Sequence, residues 1–105
     1  MTTTTATTLA GSTNGYTGAT GTAAQFNLLY GMAVDTAGNV YVADTGRIRK
    51  ITPAGVVSTV AGSTSGYLDG TGPSAKFNHP RGVAVDLAGN IYGADTSNDR
   101  VRQIN

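Results

Sequence analysis

The chain repeats itself. Shifted by 51 residues, LAGSTNGYTGATGTAAQFNLLYGMAVDTAGNVYVADT (9–45) aligns without a gap on VAGSTSGYLDGTGPSAKFNHPRGVAVDLAGNIYGADT (60–96), with 22 identities in 37 positions. A fixed period of this kind marks a stack or ring of small supersecondary units that bury their faces against one another. A chain of 105 residues has room for two such units.

Composition says what the units are made of. The chain holds 15 glycines, its six acids are all Asp, and it has no Glu. Asp, Gly, Asn and Thr favour turns and strands, and runs of good helix formers are missing. The fold class is therefore all-β. Within each unit GMAVD (31–35) or GVAVD (82–86) reads as a first strand and TAGN or LAGN as a turn. NVYVAD or NIYGAD follows as a second strand, and RIRKI (47–51) or RVRQI (100–104) as a third. TG (45–46) joins second to third strand in one unit and TSND (96–99) in the other. After the TPAG turn, VVSTVAG (56–62) supplies a fourth strand to the first unit. Short strands joined by tight turns in this order make the four-stranded antiparallel blade of a β-propeller.

The second unit resembles a bacterial NHL repeat. The resemblance lies in its YLDGTG loop, its FNHPRGVAVD first strand, its AGNIYGADT hairpin and its NDRVRQI third strand. The first unit departs from that pattern at Gly18-Ala19, at Leu29 in place of a Pro, and in the shorter link before Arg47. The resemblance implies a propeller, commonly six-bladed, and says little about function.

Two blades leave two apolar faces in water, so the expectation is self-assembly. Three chains give six blades as a homotrimer, and four chains give eight as the second choice. The ends of the sequence support an exchange of strands. TTATTLAG (4–11) aligns at the same offset with GVVSTVAG (55–62), whereas the second unit stops after its third strand. Residues 1–11 are thus read as a fourth strand completing a neighbouring chain's second blade, 12–62 as the first blade, and 63–105 as a blade lacking its own fourth strand. The alternative for the Thr-rich start is a solvated tail. Interface residues expected from this reading are Thr4, Thr5, Ala6, Thr7, Thr8, Leu9, Val101 and Ile104. The function expected of such a ring is that of a structural scaffold or generic binding ring. Two similar blades in one short chain also suit an excised or engineered part of a longer propeller, with assembly as its behaviour.

Chemistry is sparse. Leu29, Tyr30, His79 and Arg81 lie just before the inner strands, on the face formed by the fourth-to-first connections. Tyr30, His79 and Arg81 are the candidate ligand-binding residues at a channel mouth. A packing role competes with this, in which Arg81 pairs with Asp44 or Asp95 and Tyr30 packs in place of the missing Pro. Asp35, Asp86, Asp44 and Asp95 are expected to accept hydrogen bonds from turn amides. His79 is the lone histidine and there is no cysteine, so a nucleophile lacks an oriented base and a metal lacks a ligand set. Asp69 lies in a loop only faintly like a calcium site, and GTGPSAK (70–76) lacks the spacing of a phosphate loop. No enzymatic activity and no cofactor are expected, and a metal-dependent lyase-like ring is a minor alternative. RNA binding, known for some animal NHL propellers, is the other: Arg47, Arg49, Lys50, Arg100 and Arg102 recur in the third strands. Yet alternating Arg is also what a partly exposed strand face shows, and the net charge is only +1. Nucleic acid is thus not the expected partner. No apolar run is long enough to cross a bilayer and no leader pattern is present, so a soluble chain is expected. The compartment stays open.

Overall fold

The computed structural model describes residues 6–13, 15–63, 66, 70 and 75–104. Its strands form two antiparallel sheets. The first is ordered β1 (Leu29–Val34), β2 (Val40–Asp44), β3 (Arg47–Ile51) and β4 (Val57–Gly62). The second contains β5 (Pro80–Val85), β6 (Ile91–Asp95) and β7 (Arg100–Ile104), which leaves β7 at an open edge among the described residues. Both third strands coincide with the sequence reading. Both inner strands begin two residues earlier than read, because Leu29 pairs with Asp44, and Pro80 with Asp95, across a register shift.

The turns close as their residues demand. Asp35 accepts hydrogen bonds from the Ala37 and Asn39 amides at 3.0 and 2.9 Å, and Asp86 accepts one from the Asn90 amide at 2.8 Å. Gly38 and Gly89 occupy the left-handed region in both copies, where a side chain would add strain. The two second-to-third links differ in length. Thr45 takes a positive φ in the short one, whereas a 3-10 turn at Thr96–Asn98 with Asp99 in the left-handed region forms the long one.

Alternation in β2 and β3 sends side chains to two faces. Tyr41, Ala43 and Ile48 point to the second blade and share a core with Phe77, Ile91, Val83, Val85 and Ile104. Val42, Ile51 and Val57 point the other way and are covered by Ala24 and Phe26 from the connection that precedes β1. Each fully buried aliphatic or Phe side chain contributes about 1.5–3 kcal/mol. Neither sheet could hold these residues alone. Residues Ala6 to Ala10 belong to no strand within the single chain, and Thr4 and Thr5 lie outside the described residues.

One polar device locks each connection to its blade. In the first blade Asp44 and Arg49 are both fully buried, with Arg49 Nη1 3.0 Å from Asp44 Oδ2. Arg49 also donates to the carbonyls of Gln25, Tyr16 and Thr17, and Asp44 Oδ1 accepts from the Asn27 amide. In the second blade Arg102 Nη1 lies 2.9 Å from Asp95 Oδ2 and donates to the Lys76 carbonyl, while Asp95 Oδ1 accepts from the Asn78 amide. Asp44 therefore serves as a strand-to-strand anchor rather than a turn cap, contrary to the sequence reading. Asp95 does both, since its Oδ2 also accepts a hydrogen bond from the Asn98 side chain in the following turn at 2.9 Å. The reason is register: Asp44 ends β2 on the face crossed by the connection, and the arginine stands two residues into β3 on that same face.

Removing one member leaves a buried, unpaired charge, which costs about 3–5 kcal/mol. Asp44→Ala and Arg49→Met are each expected to lower unfolding stability by about that amount in urea titration. The double variant should lose less than the sum, by about 0.5–3 kcal/mol of coupling.

Candidate functional site

The start of the inner strands gathers the three candidate binding residues. β1 and β5 run side by side so closely that a Cβ on Gly31 would sit 2.5 Å from the Arg81 carbonyl oxygen. Tyr30 and Arg81 meet across this contact, with the guanidinium carbon 5.3 Å from the ring centroid, a cation–π distance. His79 takes a positive φ of 53°, and its Nδ1 lies 3.3 Å from the Ser97 hydroxyl. All three side chains are exposed. Arg81 does not pair with Asp44 or Asp95, because Arg49 and Arg102 occupy those carboxylates. What the inner-strand starts offer is an exposed cation over an aromatic face, with the His79 imidazole held against Ser97 instead.

The third-strand cations are not a free basic stripe. Arg49 and Arg102 are buried in ion pairs. Arg47 stacks on Tyr16 at 3.8 Å, and Arg100 donates to the Asn98 carbonyl. Of the alternating arginines, Arg49 and Arg102 point inward, whereas Arg47 is half-buried and Arg100 exposed at the strand starts. A sequence signal for this existed, since Arg49 and Arg102 share strand parity with apolar Ile51 and Ile104. Among the described residues no three or more His, Asp or Glu side chains come together as a metal site. Asp69 and most of GTGPSAK lie outside the described residues.

The outward faces of the two-blade unit are apolar. Register pairs Ala43 with Ile48 in the first blade and Ala94 with Val101 in the second, so Tyr92, Ala94 and Val101 are counterparts of Tyr41, Ala43 and Ile48. Ile48 is 0% exposed and Val101 77%. At the opposite end, Met32 and Val34 are exposed, whereas their counterparts Val83 and Val85 pack into the core between the blades. Of the expected interface residues, Ala6, Thr7, Thr8, Leu9 and Val101 are exposed. Ile104 turns its side chain into the core between the blades and presents only its backbone on the β7 edge.

A family model, the teneurin NHL domain, matches residues 6–73. The chain belongs to the NHL-repeat family. It is similar to human teneurin-4, 36% identical over 91 residues, covering 70% of this chain and 3% of that protein. NHL repeat-containing protein 2 of Gallus gallus is 38% identical over 77 residues, covering 70% of the chain and 10% of the relative. This NHL chain thus spans a small part of the curated relatives it matches. Among solved structures, a protein of unknown function from Bacteroides thetaiotaomicron superposes with a TM-score of 0.83 at 31% identity, over 90% of this chain and 26% of that one. An auxiliary nutrient binding protein from the same organism superposes with a TM-score of 0.80 at 28% identity, over 92% and 28%.

At the opposite rim of the NHL blades, Asp35 and Asp86 titrate below the ordinary carboxylate value of 3.8, chiefly because the Asn39 and Asn90 side chains donate to the charged form. Tyr41 and Tyr92 are pushed above 10.0, first by desolvation and then by their hydrogen bonds to these carboxylates. On lowering the pH, the unfolded carboxyls take up protons near 3.8 while the folded ones stay charged, so this stabilisation is lost below that point. On raising it, the unfolded phenols ionise first, so the Tyr contribution is lost from about pH 10 upward. Unfolding midpoints measured across pH should therefore fall at both ends. The Asp35→Asn, Asp86→Asn double variant should show a flatter acid limb.

Proposed function

We propose that this chain is a non-catalytic, two-blade propeller unit that assembles head to tail with copies of itself, and that the resulting ring binds its ligand at the channel mouth. The observation that carries the assembly is the unequal burial of equivalent residues. Ile48 is fully buried against the second blade, whereas Val101, in the same place on the next blade, is 77% exposed. A third blade stacked on Val101 would repeat the packing already present between blades one and two. Met32 and Val34 at the other end supply the complementary surface for such a contact. The contact is heterologous, so it closes only as a ring. The favoured ring has three chains and six blades, and four chains with eight blades is the second choice.

In such a ring Tyr30 and Arg81 alternate around the axis with His79 beside them. An Arg on an aromatic face suits an anionic or aromatic group on a small molecule or peptide. That a structural relative is described as an auxiliary nutrient binding protein supports a binding role of this kind.

Light scattering on the purified chain should return about three chain masses. A mass of four would replace the trimer with the tetramer, and a folded monomer would overturn self-assembly. Val101→Glu should shift the population to monomer, lower the unfolding midpoint relative to the assembled chain and make that midpoint independent of protein concentration.

A further inference from the structure

The first blade carries a groove of about 520 Å³ on its outward side, lined in part by Thr8, Ala10, Gly11, Phe26, Asn27 and Leu29. Each of these has a counterpart 51 residues on: Thr59, Ala61, Gly62, Phe77, Asn78 and Pro80. Around the counterparts the space is filled by a third strand. β3 pairs there with β4, Arg47 with Gly62, Ile48 with Ala61 and Arg49 with Thr59. A Cβ on Gly62 would lie 3.0 Å from the Arg47 Cα and 3.0 Å from the Phe77 ring. Strand, glycine and aromatic ring thus form one tight stack.

The groove has the same walls without the strand. Gly11 takes a φ of 106° where Gly62 takes 92°, and a Cβ on it would lie 3.2 Å from the Phe26 ring. The connections close alike as well, with Gly15 N donating to the Phe26 carbonyl and Gly66 N to that of Phe77, both at 2.9 Å. Among the described strands, β7 is the third strand with an open edge, and its outward side chain Val101 is the counterpart of the Ile48 that fills the occupied site.

Resting on the self-assembly reading above, we infer that this groove is the receptor for β7 of a second copy, entered in one register. Arg100 pairs with Gly11, Val101 with Ala10, Arg102 with Thr8, Gln103 with Thr7 and Ile104 with Ala6. The register follows from the β3–β4 ladder, in which a shift between Ile48 and Arg49 leaves Val60 unpaired. Leu9 is the counterpart of Val60 and forms the bulge. A slip of one residue would turn every side chain to the wrong face, placing Leu9 where the small Ala10 is needed under the Phe26 ring.

The chain contains no cysteine, so introduced pairs report without background. Directly opposed strand residues hold their Cβ atoms close enough for a disulfide after small adjustment. Ala10→Cys with Val101→Cys in one chain, and separately Thr7→Cys with Gln103→Cys, should each yield reducible covalent multimers up to the ring size under mild oxidation. Leu9→Cys with Val101→Cys should crosslink at least about tenfold more slowly. Equal crosslinking by the Leu9 pair overturns the register. A covalent monomer overturns the exchange, since β7 would then take the N-terminal segment of its own chain. An intact ring that neither matched pair crosslinks overturns this inference while leaving ring assembly standing. An unmutated chain that is monomeric by light scattering removes the assembly reading itself.

Discussion

The buried carboxylate–guanidinium pair at the end of each second strand organises the rest of the molecule. Asp44 and Asp95 each take a backbone amide with one oxygen and an arginine with the other. Through Arg49 and Arg102 that charge reaches carbonyls of the long connection before the blade. A connection rich in Gly, Thr and Ser has little apolar surface of its own with which to hold a conformation. Its backbone carbonyls bonded to a buried cation give it one. The connection then carries Phe26 or Phe77 to a fixed place over the blade, with Arg49 and Arg102 stacked on those rings at 5.1 and 4.8 Å.

Phe77 shows what that placement achieves. It is 1% exposed and sits in the core shared by both blades. The polar anchor within one blade therefore positions the apolar plug between two. Phe26 is positioned in the same way, over the groove beside Gly11. Local polar order and long-range apolar packing are linked through a single connection, which is why the repeat behaves as a unit rather than as separate hairpins.

Strands β1 to β7 and their order were legible because they rest on local chemistry. RIRKI and RVRQI match β3 and β7 to the residue, and the Asp-to-Asn turns close on hydrogen bonds spanning at most four residues. The partners of Asp44, Asp95 and Arg81 were not legible. Asp44 precedes a Thr-Gly turn and looks like a cap, yet its partner Arg49 lies on the neighbouring strand and the amide it accepts belongs to Asn27. Charge at strand positions shared with Ile51 and Ile104 was the one hint that Arg49 and Arg102 point inward.

By itself the sequence determined an all-β chain of two similar blades, the positions of its turns, and its kinship to NHL repeats, since each follows from residue pattern over a few tens of residues. The tertiary structure decided which arginine holds which carboxylate and which copy of each apolar face is covered. Tyr41 and Tyr92, or Ile48 and Val101, stand in equivalent positions with nearly the same surroundings in sequence. Their burial differs because it depends on whether another blade lies against them, and that is a property of the neighbour, not of the strand.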